Sequence, residues 1–250
     1  MQSDSRNVVL HYHLFKNAGT SVDRVLQNGF PNRWVTKEFP TAGGNNSQMI
    51  ANWIQQESAA NAFSTHTGVG PVPTIGGVNI ISVLFLRDPI ERIQSVYRFE
   101  RDQVATTMGA QLAKEKDLEG YIRHRLSIPG DRQCRNFQVN RLSKVVPGPG
   151  TELSRSVAAL GELSFVGLVD DFANCMSRFS EILLSSMPEF KVTEPPHLNR
   201  SSGATELTTP YGLSEELLEV LLESNEDDFE LLREVGSTSC HQSTADLPQN

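Results

Sequence analysis

The sequence contains no long apolar run. None of its segments approaches the ~18 residues that a membrane-spanning helix needs, so no membrane span is expected. Cysteine is scarce. Cys134, Cys175 and Cys240 are odd in number and far apart. That pattern excludes a disulfide framework or a cysteine-rich zinc site and predicts reduced thiols in a cytoplasmic protein. Residues Met1 to Arg6 lack the apolar core of a signal peptide. Positive charge is also in deficit, with 22 Lys and Arg against 30 Asp and Glu, a net charge of −8. This balance argues against nucleic acid or a heavily sulfated glycan as partner, yet leaves room for a local basic pocket. No repeat and no linker divides the chain. Residues 1–236 are therefore expected to form one domain, and the polar, aperiodic stretch 237–250 a disordered C-terminal tail.

What is present is organised around Phe15-Lys16-Asn17-Ala18-Gly19-Thr20-Ser21. An apolar, β-branched segment, Val8 to Leu14, precedes it, and Val22, Val25 and Leu26 follow at helical spacing. A strand, a tight loop and an amphipathic helix result. The loop presents unpaired N–H groups at the positive end of a helix dipole. Lys16 adds a full charge, Gly19 lets a ligand approach the backbone, and Thr20 and Ser21 can cap the helix and bond an oxyanion. This is a phosphate cradle. It is not the G-x-x-x-x-G-K-[ST] loop of ATPases and GTPases, because Lys16 stands four residues before Thr20 and no glycine precedes it.

A near-continuous apolar run, Val78 to Leu86, reads as a strand buried on both faces of a parallel sheet. It ends in Arg87-Asp88-Pro89, where Asp88 suits an N-cap and Pro89 the first helical position. Ile90, Ile93, Val96 and Tyr97 continue as one face of a helix. Arg87 thus falls at the carboxyl edge of the sheet, where open α/β folds bind ligands. Arg92 and Arg98 read as packing or surface residues. Leu163 to Val169 reads as another buried strand, with Asp170 and Asp171 at the cap of the next helix. One last helix is expected from Ser214 to about Val235, and residues 31–63 read as an acceptor-side insertion with a short helix at Met49 to Ile54.

The stretch from His13 to Ser21 resembles the opening motif of the sulfotransferases that use 3'-phosphoadenosine-5'-phosphosulfate, nearest to the carbohydrate-sulfotransferase-like branch, which reads H-I-P-K-T-G-G-T-S. Phe15 replaces the proline, Asn17 the threonine and Ala18 a glycine. Leu84 to Tyr97 is similar to a second motif of that family, and Asn136 to Leu142 to its N-x-Q-x-R-x-L segment. The resemblance implies an α/β fold, P-loop-like, with three layers: a central parallel sheet and helices on both faces. It implies that Lys16, Asn17, Ala18, Gly19, Thr20 and Ser21 hold the 5'-phosphosulfate. Arg87 and Ser95, eight positions later, would clamp the 3'-phosphate, with Arg200 from a late loop as a second ligand. The function implied is transfer of a sulfuryl group to a hydroxyl, or less favourably an amine, of a small-molecule or glycan acceptor. A P-loop nucleotide kinase and a non-catalytic nucleotide-binding protein are the rival readings.

The acceptor must lose a proton, so a group that titrates near neutrality is needed beside it. His66, between the two donor motifs and next to Gly68, is the choice, with Glu38, Glu100 and His197 in reserve. His11 and His13 share a strand face. That spacing can bind a metal, but no third ligand lies nearby in the sequence, so hydrogen-bonded core imidazoles are expected and no metal.

Overall fold

The computed structural model describes residues 5–192, 211–236 and 241–242. Five parallel strands form the central sheet: β1 (Arg6–Tyr12), β2 (Trp34–Thr36), β3 (Ala62–Thr65), β4 (Val78–Leu86) and β5 (Phe165–Leu168). Their order across the sheet is β2-β3-β1-β4-β5, and β6 (His241–Gln242) pairs antiparallel with β5 at the edge. Of the segment expected to be a disordered tail, only these two residues are described, and they lie in the sheet. β2 was not legible in the sequence. Three residues at a sheet edge are too few to establish a period.

Helices cover both faces. Alternation along β1 sends Val8, Leu10 and Tyr12 one way and Val9 the other. The first set packs against α2 (Ser47–Gln56), α6 (Phe137–Leu142), α7 (Glu152–Glu162) and α10 (Glu226–Gly236). Val9 packs with α1 (Gly19–Gly29) and α8 (Phe172–Ser186). Beyond the sheet edge, α3 (Pro89–Asp102) joins α4 (Met108–Glu115), α5 (Leu118–Ser127) and α9 (Glu215–Ser224) in a third apolar cluster that Phe15 also touches.

β1 and β4 are neighbours, yet the chain leaves them towards opposite sides of the sheet, β1 towards β2 and β4 towards β5. The crevice outside their carboxyl ends is the place where such sheets bind ligands. The loop from His13 to Ala18 and the turn at Arg87 both open there. Asp88 caps α3 as expected, accepting from the N–H groups of Ile90 and Glu91 at 2.9 Å each.

Three local expectations need correction. The last helix is two, because buried Asn225 turns its side chain to the carbonyls of Cys134 and Leu221 and accepts from Asn136, which ends α9. Asp171 takes the N-cap position of α8 without bonding a helix N–H, and its carboxylate accepts from Asn174 at 2.7 Å. Cys175 is disulfide-bonded, whereas Cys134 is a free, buried thiol whose pKa burial pushes up to about 12.

Candidate functional site

The loop between β1 and α1 is built from non-glycine residues in left-handed conformation. Lys16 has φ 65° and Ala18 φ 58°, and Asn17 between them does not share it. Alternation of this kind turns successive N–H groups into one concavity, a nest for an anion. The N–H groups of Lys16, Ala18, Gly19 and Thr20 have no acceptor among the described residues. They open at the N-terminus of α1, where the helix dipole adds positive potential.

Left-handed backbone at such residues costs about 1–2 kcal/mol each, so the surroundings must hold it. Asn17 does this. It is buried, and its Nδ2 donates to the Phe85 carbonyl at 2.9 Å and to Gln138 Oε1 at 2.7 Å. Gln138 in turn accepts from Arg87 N–H at 2.9 Å and donates to the Arg87 carbonyl at 2.8 Å. One glutamine of α6 therefore locks the nest to the end of β4. Asp228, buried in α10, fixes that glutamine by accepting the N–H groups of Gln138 and Val139 at 3.2 and 2.8 Å. Burial raises its pKa against the pull of those donors.

These contacts revise three assignments. Asn17 holds the loop with its side-chain Nδ2, while its buried Oδ1 has no partner among the described residues. Ala18, not Thr20 or Ser21, is the N-cap of α1, and no side chain caps that helix. Gly19 makes room for a neighbour inside the protein, since a Cβ there would lie 2.1 Å from His13 Cδ2 and 2.3 Å from its Nε2.

Cations border the nest. Lys16 Nζ lies 4.8 Å from the Phe99 ring centroid, and its pKa is lowered by burial first and then by Arg87 and Arg98. Arg87 is partly buried and ion-paired to Glu91 at 3.0 Å. Ser95, on α3, is partly buried and has no side-chain partner among the described residues. Arg98, read from sequence as a packing or surface residue, is exposed and within electrostatic reach of both Lys16 and Arg87. The helical spacing of Ser95 and Arg98 on α3 was the available signal. A pocket of about 280 Å³ opens beside Arg87, lined by Leu86, Leu168, Phe229 and Leu232 and by the charged residues Asp88, Asp170 and Arg233.

On the other side of the nest stand three imidazoles, each tied to a carboxylate. His11 and His13 project from the α1 face of β1 and both reach Asp23, Nδ1 to Oδ1 at 2.7 Å and Nδ1 to Oδ2 at 2.8 Å. Ser64 Oγ bonds both Asp23 and His11 Nδ1. Burial would raise the pKa of Asp23, but the hydrogen bonds from His11 and His13 outweigh it and hold the carboxyl far below its usual range. An ionised carboxylate only accepts, so both Nδ1 atoms carry hydrogen. No third group was visible near His11 and His13 in the sequence; the fold supplies Asp23. The three could ligate a metal ion, and hydrogen bonds join them here.

His66 continues the array. Its ring centroid is 3.8 Å from that of His13. Its Nδ1 lies 2.6 Å from Glu38 Oε1, and Glu38 also accepts the His66 backbone N–H at 3.1 and 3.2 Å. The sheet brings this pair together. Thr36 is in register with Ser64, so two residues further on Glu38 comes level with His66. Glu38 was a reserve base; the structure makes it the partner of the chosen one. Arg141 donates to the carbonyls of His66 and Gly68 at 3.2 Å each and fixes the turn. The His66 and Glu38 side chains are half-exposed, 49% and 48%.

Glu100 is not in this group. It is buried and bonded by Arg125 at 2.9 Å and by Tyr121 at 2.6 Å, a structural ion pair. Arg92 is wholly buried over the Phe137 ring. Arg200 and His197 lie outside the described residues.

No described helix is long and apolar enough to cross a membrane. No protein-family model matches the chain. It is 38% identical over 197 residues to an uncharacterized protein of Archaeoglobus fulgidus, an alignment that covers 76% of this chain and 78% of the other. The chain belongs to the same family as that archaeal protein.

Proposed function

We propose that the chain is an enzyme that transfers a sulfuryl group from 3'-phosphoadenosine-5'-phosphosulfate to a hydroxyl of an acceptor. The observation that carries this reading is the adjacency of an anion nest with its own lysine to a carboxylate-held imidazole. The His66 ring packs tilted against His13, and His13 lies against Gly19 at the first turn of α1.

In this reading the nest amides and Lys16 hold the 5'-phosphosulfate. Arg87, with Ser95 and Arg98 on the same helix, meets the 3'-phosphate, which arginine binds well because its planar fork keeps its charge. The pocket beside Arg87 offers the nucleoside the apolar surface of Leu86, Leu168, Phe229 and Leu232. The acceptor oxygen attacks sulfur in line, the bond from sulfur to the bridging oxygen breaks, and that oxygen leaves on the 5'-phosphate. Lys16 and the nest stabilise the charge that develops there. The acceptor proton passes to His66 Nε2, while Glu38 holds Nδ1–H and steadies the imidazolium.

The test is ligand choice. Adenosine 3',5'-bisphosphate without magnesium should raise the melting temperature, by linkage equivalent to roughly 2.7 kcal/mol at about 100 times its dissociation constant. AMP and magnesium ATP should do much less. Equal stabilisation by magnesium ATP would overturn the donor assignment.

A further inference from the structure

The nest and Arg87 follow different strands, β1 and β4, and one side chain touches both loops. Gln138 of α6 is fully buried. Its Oε1 accepts from Asn17 Nδ2 at 2.7 Å and from the Arg87 N–H at 2.9 Å, and its Nε2 donates to the Arg87 carbonyl at 2.8 Å. A single bond would let the Arg87 backbone pivot. Two bonds from one planar amide to the N–H and C=O of the same residue fix its direction as well as its position. On the other side Asn17 stands between left-handed Lys16 and Ala18 and also donates to the Phe85 carbonyl at 2.9 Å. The glutamine is itself held from behind. Asp228 accepts the N–H groups of Gln138 and Val139 at 3.2 and 2.8 Å, and its neighbour in α10, Phe229, lines the pocket beside Arg87. The sheet does not make this tie. β1 and β4 pair in register from Arg6–Val78 to His11–Val83, and both loops lie beyond the last pair.

We propose that Gln138 is a specificity-determining positioning residue: it sets the span between the nest and Arg87, and so selects nucleotides by the spacing of their two phosphates. This rests on the reading of the nest and Arg87 as the two ends of the donor site. Gln138 has no exposed surface, so it acts only through Asn17 and Arg87. A ligand with a phosphate at each end gains most where both sites already stand at its own span, because the second contact is then made without further ordering of the protein. A nest and an arginine that drift relative to each other keep each single contact and lose the joint one. The amide holds them at one separation. A nucleotide whose phosphates are spaced differently must either give up one contact or break the bonds that Gln138 makes.

The experiment compares adenosine 3',5'-bisphosphate with its 2',5' isomer by calorimetry on the full chain. The two carry the same nucleoside and the same charge and differ in the spacing of their phosphates. Wild type should prefer the 3',5' isomer by roughly tenfold or more, the scale of coupling within one hydrogen-bond network. Gln138→Met, which keeps the length of the side chain and removes the amide, should bind the 3',5' isomer more weakly and bring the ratio of the two affinities close to one. Asp228→Asn, which leaves the amide in place and weakens its support, should narrow the ratio by less. A glutamine that only stabilises the fold would lower both affinities alike, so an unchanged ratio in folded Gln138→Met overturns the proposal. If that variant does not fold, an unchanged ratio in Asp228→Asn overturns it instead. Equal affinity of the wild type for the two isomers also overturns it, needs no variant, and leaves the nest assignment standing. A wild type that binds neither isomer removes the donor reading and this proposal together.

Discussion

Glu38 and His66 are 28 residues apart in sequence and bonded at 2.6 Å, and the same carboxylate accepts the His66 backbone N–H. The contact fixes which ring nitrogen carries hydrogen. Glu38 holds Nδ1–H, and Nε2 is left as the basic atom.

If that basic atom accepts the acceptor proton, His66→Ala should cut turnover about 10²–10⁴-fold. Glu38→Gln should lower it less and shift the acid limb of the pH–rate profile. Binding of adenosine 3',5'-bisphosphate should be nearly unchanged in both. Normal turnover in folded His66→Ala, measured with labelled donor and a panel of alcohols, would transfer the role elsewhere.

Arg87 and Arg98 offer a test of the far end of the donor. Arg87→Ala should cost roughly 1.5–3 kcal/mol in binding of ligands with a 3'-phosphate, the range for bonds to charged groups. Arg98→Ala should cost less, because the group is exposed and screened. Neither should affect ligands that lack the 3'-phosphate, as measured by calorimetry with the matched pair of nucleotides. Equal losses for both ligand types would make the arginines structural.

Asn17→Ala removes the donor to the Phe85 carbonyl and to Gln138 and leaves buried acceptors without it. About 1–3 kcal/mol of stability should be lost. The nest should also loosen, since this contact holds the left-handed backbone of Lys16 and Ala18. A denaturant melt with a parallel ligand titration reads both effects. Loss of stability with ligand affinity intact would show that the nest holds its shape without Asn17.

Acid should destabilise the fold in two stages. His13 has a lowered pKa when folded, so the unfolded chain binds more protons once pH falls below about 6.5, and stability declines there. Asp23 is held far lower than its unfolded value. Its contribution is present above about pH 4 and is lost as pH falls through the folded pKa. Asp23→Asn should flatten the lower stage of a plot of unfolding free energy against pH. A lower stage of unchanged slope in that variant would assign the acid sensitivity to other carboxylates.

Gly19→Ala places a Cβ where the His13 ring stands, 2.1 Å from Cδ2. Overpacking of this kind costs about 1–3 kcal/mol, and the ring must shift away from α1. The spectra of the His13 and His66 nitrogens should both change, because the rings are in contact. Wild-type spectra and stability would mean that the loop, not the imidazole, yields.

The sequence by itself determined what is contiguous or periodic. A β-branched run before a short loop and an amphipathic helix can form only a strand–loop–helix unit, and the continuous apolar run from Val78 to Leu86 announces a strand buried on both faces. Asp88 and Pro89 mark the start of α3 by their own chemistry. Those elements put Lys16 in the loop after β1 and Arg87 and His66 directly after β4 and β3. The tertiary structure alone decided what those residues touch. Asn17 meets Gln138 across 121 positions and Glu38 meets His66 across 28, and no local pattern encodes either distance. Parallel pairing sets them: β2 must lie beside β3 in one register before Glu38 comes level with His66, and α6 must dock under β4 before a glutamine can span both loops. The partner of a polar side chain is chosen by how sheets and helices pack, and that choice is made only once the chain has folded.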